Sequence, residues 1–180
     1  MRDVVLAITG EYLRYKKIAE GCLEQLEEEE LGRDPDEVGN SVATLAWHIS
    51  GNLKSRFTDF LTSDGEKPWR RREEEFASRP VPRDELRAEW DEGWRILFEQ
   101  LEKLDDEDLS REVIIRGQGL SVVEALQRSS NHVAYHVGQM VFFGKRMRGA
   151  RWSYLSIAPG QSDSYNRNPT MERAPGSERR

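Results

Sequence analysis

The chain carries three histidines, and all three fall in stretches whose apolar spacing predicts helix. Two of them stand one helical turn apart in His132-Val133-Ala134-Tyr135-His136. A four-residue step on an α-helix returns to within about 40° of its starting direction, so both imidazoles leave the same face and can grip one ion. Such a pair by itself is more often packing than metal binding. His48, from another predicted helix, supplies a third nitrogen of the kind that completes sites inside helical bundles. Three protein ligands leave coordination positions open for water or substrate, the mark of a reactive zinc site rather than a closed structural one. Imidazole nitrogen suits zinc, nickel, copper and iron alike, so the ligands alone do not choose the metal.

Polar residues accompany these histidines. On a helical wheel Asn52, Ser55 and Asp59 fall within about 40° of His48. That stripe gives Asn52 a role in orienting substrate, and Asp59 or Arg56 one in proton transfer or anion binding. A solvated face, or an Arg56/Asp59 ion pair, accounts for the same stripe equally well. Gln139 shares the direction of His132, as a ligand contact or a bridge between helices. Tyr135 and Trp47, Trp69, Trp90, Trp94 and Trp152 are candidates for an apolar pocket wall; core packing is the stronger reading for Trp90 and Trp94.

These residues must be positioned by helices. Apolar residues recur at threes and fours over residues 4–29, from Val5 to Leu26, and again over residues 40–61, from Val42 to Phe60. Asn40 or Ser41 caps the second helix. Turn chemistry at residues 62–68 opens a long polar loop over residues 63–80, and Asp84 caps a third helix that ends near Leu104. Loops of this length are often functional, and this one is expected at the mouth of the metal cleft, shaping substrate access. Val113-Ile114-Ile115 reads as linker, having no evident strand partner. Ser121 with Glu124 forms a capping-box pattern ahead of a fourth helix that runs to about Met147. The expectation is an all-α, antiparallel four-helix bundle over residues 1–166. Residues 167–180 form an irregular polar tail, and the last dozen residues are expected to be disordered.

Composition narrows the function classes. With 180 residues, 37% hydrophobic and 33% charged, the chain fits one domain that buries one stripe per helix. A net charge of −6 argues against nucleic acid as partner. Arg70-Arg71-Arg72 runs straight into Glu73-Glu74-Glu75, which reads as a solvated, self-compensating loop. No membrane partner is expected, because no apolar run reaches the roughly 18 residues of a spanning helix. The N-terminal stretch lacks the pattern of a signal peptide, so the expectation is a cytoplasmic protein. Cys22 is the lone cysteine, which rules out an intramolecular disulfide and a thiolate cluster; on a core face it reads as a small buried hydrophobe.

Together, His48 and His132-Val133-Ala134-Tyr135-His136-Val137-Gly138-Gln139 resemble the signature of the DinB/YfiT-like superfamily. Gly51-Asn52, Ser55-Arg56, Thr58-Asp59-Phe60-Leu61-Thr62, Asp64-Gly65-Glu66-Lys67 and Pro159-Gly160-Gln161-Ser162 resemble its narrower DUF1572 branch. The resemblance, with the third histidine, turns the reading towards a metal. It implies a bundle holding one divalent ion, zinc or nickel, at His48, His132 and His136. It also implies chemistry on a small-molecule substrate, since some superfamily members join a low-molecular-weight thiol such as bacillithiol or mycothiol to an electrophile. Thiol transfer is the leading expectation. Metal-assisted hydrolysis with Asp59 as base, and a non-catalytic metal-binding protein, are the alternatives, and assembly as a homodimer is left open.

Overall fold

The structure, a computed structural model, describes residues 2–34, 39–77 and 79–172. It is mostly helical, with one two-stranded hairpin. The first apolar stripe forms α1, Asp3–Gln25, which buries Val5, Tyr12, Ala19 and Cys22. The stretch predicted as one helix to residue 29 is split, because Leu26 turns extended and Glu27 starts a new short helix, α2, Glu28–Leu31, with its own capping box to Glu30. Next comes α3, Val42–Phe57, capped by Ser41, whose Oγ accepts from the Thr44 amide at 3.0 Å. Residues 41–50 are buried throughout, since α3 packs against both α4, Arg83–Lys103, and α5, Val122–Arg148. Helix α1 packs on α5.

The core between these four long helices is built from aromatic and aliphatic side chains. Tyr12 meets Phe57 and Trp94 edge-on, with ring centroids 6.4 and 6.3 Å apart, and its hydroxyl donates to the Leu126 carbonyl at 3.0 Å. Trp90 and Trp94 are buried, as their place on the α4 stripe predicts. The contact of α4 with α3 depends on Gly93, where a Cβ would stand 2.8 Å from the Ser50 Cα. That close approach fixes the backbone two residues beyond His48.

Two segments depart from the sequence expectation. Helix α3 stops at Phe57 rather than near residue 61, because the Thr58 hydroxyl donates back to the Lys54 carbonyl and Asp59 adopts a positive φ of 49°. Residues 112–121, read as linker around Val113-Ile114-Ile115, form an antiparallel hairpin of β1, Glu112–Ile115, and β2, Gln118–Ser121. Arg116 and Gly117, with φ of 55° and 71°, make the two-residue turn of the type that hairpins favour. Asp64 clasps this turn, accepting from the Arg116 and Gly117 amides at 2.8 Å each, and the Gly65 amide donates to the Ile114 carbonyl. The loop after α3 and the hairpin therefore form one wall.

The capping box of Ser121 and Glu124 starts α5 as the sequence predicts, and α5 ends at Arg148. Beyond it, the chain buries Trp152 and forms a short helix, α6, Ser162–Asn166. The Tyr165 hydroxyl accepts from the Thr170 and Met171 amides, so residues 170–172 fold back on α6. Residues 173–180, which hold most of the tail expected to be disordered, lie outside the described residues. Among the described residues, no helix is long and apolar enough to cross a membrane.

Candidate metal centre

The three histidines converge. His48 faces α5 from the middle of α3, and one ring nitrogen from each of His48, His132 and His136 lies within 4.8 Å of the other two. The Nε2 of His132 is 3.1 Å from the Nε2 of His48 and 3.1 Å from that of His136. Two nitrogens each about 2.0–2.1 Å from one zinc-sized ion sit at about this separation, with an angle of about 100° between them.

The surrounding hydrogen bonds decide which nitrogen of each ring is free. His48 Nδ1 donates to Glu75 Oε2 at 2.8 Å, and His136 Nδ1 donates to Gln139 Oε1 at 2.8 Å. Each bond places the proton on Nδ1 and leaves an Nε2 lone pair aimed at His132. One His132 nitrogen cannot satisfy two such lone pairs as a donor. Its own Nδ1 is buried without a hydrogen-bond partner. A cation shared by the three Nε2 atoms resolves the conflict, so the residues present fit a divalent metal. Burial, helped by the neighbouring His136 and His48 and the charges of Arg70 and Arg56, pushes His132 down to about 3. Burial also lowers His136, against the opposing Gln139 bond. Both rings are therefore neutral near pH 7, the form that ligates metals.

Glu75 and Arg70 come from the loop that the sequence presents as solvated. Arg70 Nε and Nη2 reach the two oxygens of Glu75 at 2.8 and 2.9 Å, and Arg70 Nη1 donates to Ser55 Oγ. Their side chains are only 3% and 12% exposed, which corrects the reading of 70–75 as a wholly solvated run. The pairs Arg71–Glu74 and Arg72–Glu73 do lie in solvent. Burial works against an ionised Glu75, yet the hydrogen bonds from His48 and Arg70 and the Arg70 charge outweigh it and hold the carboxyl below its usual range. Gly51 makes room for this contact: a Cβ there would stand 2.9 Å from Glu75 Cδ. Phe76 covers His48 with ring centroids 4.9 Å apart. Composition alone does not separate Glu75 from Glu73 and Glu74; the turn of the short 3-10 helix Arg72–Phe76 selects it.

A cavity of about 460 Å³ opens beside the histidines and is lined by His48 and His132. Asn52 and Arg56 line it, as does Ser129. Asp59 does not: it is exposed beyond the end of α3, and its carbonyl accepts from the amides of Thr62 and Ser63. The reason is the early stop of α3, which takes Asp59 off the polar stripe. Gln139 acts on His136 as described, and Tyr135 is exposed with its ring 4.9 Å from that of His136. None of the five tryptophans lines the cavity, whose apolar surface comes from Phe57, Phe60, Ile115, Leu120 and Ala125. Cys22 is buried in the core, donates to the Met140 carbonyl, and is pushed by burial up to about 12.

Comparison with known proteins places the fold and the family. A solved structure described as a conserved protein from Enterococcus faecalis is similar with a TM-score of 0.59 and 19% identity, covering 81% of this chain and 96% of that one. At that identity the likeness shows the fold alone. No curated protein matches the sequence. A family model matches residues 2–161, and on that extent the chain belongs to the family described as Protein of unknown function (DUF1572).

Proposed function

We propose that the four long helices form a DinB-like bundle holding one divalent ion, zinc or nickel, on the Nε2 atoms of His48, His132 and His136, and that this centre joins a small thiol to an electrophile. The observation that supports it is the convergence of three Nε2 atoms, two of them fixed as lone-pair donors, beside a cavity large enough for a small molecule. When bound, the ion supplies a positive charge that stabilises a thiol in its thiolate form, the nucleophilic one.

The chain's own residues do the rest. Glu75 holds the proton on His48 Nδ1, Gln139 holds that on His136 Nδ1, and Arg70 keeps Glu75 ionised and in place. Asn52 and Arg56 face the cavity, where they orient substrate. Phe57, Phe60 and Leu120 exclude water from its wall. Cys22 is buried and protonated, so the thiol comes from outside. Among the described residues no further His, Cys, Asp or Glu joins the three-histidine group, so an ion held there would have fewer protein ligands than a closed structural site, which favours the enzyme reading. The hydrolase reading has less support, because Asp59 does not line the cavity and, among the described residues, no other carboxylate does.

The test uses zinc- or nickel-loaded protein with N-acetylcysteine and 1-chloro-2,4-dinitrobenzene. The sulfur attacks the chlorine-bearing carbon, chloride leaves, and the thiol proton passes to solvent. The expected result is a rate above the uncatalysed one that is lost in the His132→Ala/His136→Ala variant. Background rates for this thiol, and for cysteine and a thiol-sugar in its place, would contradict thiol transfer.

A further inference from the structure

The cavity wall is cationic in a chain whose net charge is −6. Arg56 enters it from α3, Arg70 and Arg72 from the following loop, Arg116 from the hairpin turn, and Arg128 from α5, while among the described residues no carboxylate lines it. The acids nearby do not balance these groups. Glu66 is shared between Arg56 and Arg116, with Nη1 of the former at 3.3 Å and Nε of the latter at 2.8 Å. Glu75 serves Arg70, and the exposed Glu73 serves Arg72. Arg128 makes no hydrogen bond or ion pair among the described residues. Among the described residues, the five guanidinium groups thus have three carboxylate partners between them, a fourth, Asp64, being engaged by the Arg116 and Gly117 amides while also attracting Arg56.

From this we infer that the cavity binds small molecules carrying an oxyanion, a carboxylate or a phosphate, on an apolar body. The guanidinium fork matches both anions through paired N–H donors, and a cleft lined by one sign of charge raises the local concentration of the opposite sign. The arginines converge from four different segments, α3, the loop after it, the hairpin turn and α5, which a solvated helix face does not require. Arg128 and Arg116 are exposed and line the cavity, so their donors are accessible. Phe57, Phe60, Ile115 and Leu120 line the same cavity and would take the apolar body. The inference deepens the functional reading above, and rests on it only in placing the reactive end of the molecule at the histidines.

The experiment titrates phenyl phosphate, 3-phenylpropionate and the uncharged 3-phenylpropanol into the full chain, both metal-free and zinc-loaded, by calorimetry. The expected result is that at least one anion binds about tenfold more tightly than the alcohol and weakens as salt is raised. The exposed Arg128→Gln weakens it several-fold at unchanged metal content, and Arg116→Gln acts in the same direction. Equal binding of anions and alcohol, no anion binding, or full affinity in both arginine variants would overturn the inference. The His132→Ala/His136→Ala variant separates the two readings. Retained anion preference there assigns the anion to the arginines, whatever the metal result, whereas loss of the preference assigns it to the ion and overturns the inference.

Discussion

Glu75 Oε2 lies 2.8 Å from His48 Nδ1 across 27 positions of sequence, so the loop after α3 reaches back to set the tautomer of a histidine in the middle of that helix. Partners of this kind orient metal-ligating imidazoles and typically contribute 10–100-fold to metal affinity. Replacing Glu75 by Ala is therefore expected to weaken zinc binding by about 10–100-fold in chelator competition. Glu75→Gln should lose less, because its carbonyl oxygen still accepts from Nδ1. Wild-type affinity in both variants would show that the contact does not serve the metal.

Gly51 should report on the same contact. Its substitution by Ala places a methyl group 2.9 Å from Glu75 Cδ and displaces that side chain. The expected outcome is a loss of metal affinity close to that of Glu75→Ala, with little added loss when the two changes are combined, since they remove one interaction. Full additivity in the double variant would count against it.

Gly93→Ala tests how α4 positions α3. The added Cβ meets backbone atoms of Ser50, at 2.8 Å from Cα and 2.9 Å from the carbonyl oxygen, and neither can rotate away. Overpacking of this sort costs about 1–3 kcal/mol, read as a lowered denaturation midpoint. An unchanged midpoint would mean that the helices part without cost.

Much of this arrangement was legible in the sequence because it rests on period and spacing. The apolar stripes predicted the four long helices, Ser41 and Ser121 marked two of the helix starts, and the four-residue step placed His132 and His136 on one face. The resemblance supplied the pairing with His48. What the sequence hid depends on contacts between distant segments. The stop at Phe57 follows from the Thr58 hydroxyl and the left-handed Asp59, which no stripe reveals. The hairpin needs Asp64 to clasp the turn at Arg116-Gly117, 52 positions away from Arg116. Arg70 and Glu75 sit in a charge run whose other members are solvated, and the turn of the 3-10 helix Arg72–Phe76, with the room left by Gly51, tells Glu75 apart.

Acid should destabilise the metal-free protein earlier than its carboxylates require. Unfolded histidine takes up a proton near pH about 6.5, whereas burial holds folded His132 neutral down to about 3 and lowers His136 as well. As pH falls through about 6.5 the unfolded chain binds protons that the folded chain does not, so stability drops from there towards about pH 3. Denaturant midpoints measured between about pH 7.5 and 5.5 should fall, and the slope should shrink in His132→Ala/His136→Ala. A flat profile in that range would contradict the neutral, buried histidines.

Whether His48, His132 and His136 hold one divalent ion is read from the metal content of the purified full chain by elemental analysis, paired with X-ray absorption at the edge of the metal found. The expected result is about one zinc or nickel ion per chain, with three imidazole nitrogens among its ligands and near-complete loss of metal in His132→Ala/His136→Ala. Full metal content in that variant, or a wild-type chain that takes up no divalent ion when zinc and nickel are supplied, would contradict it.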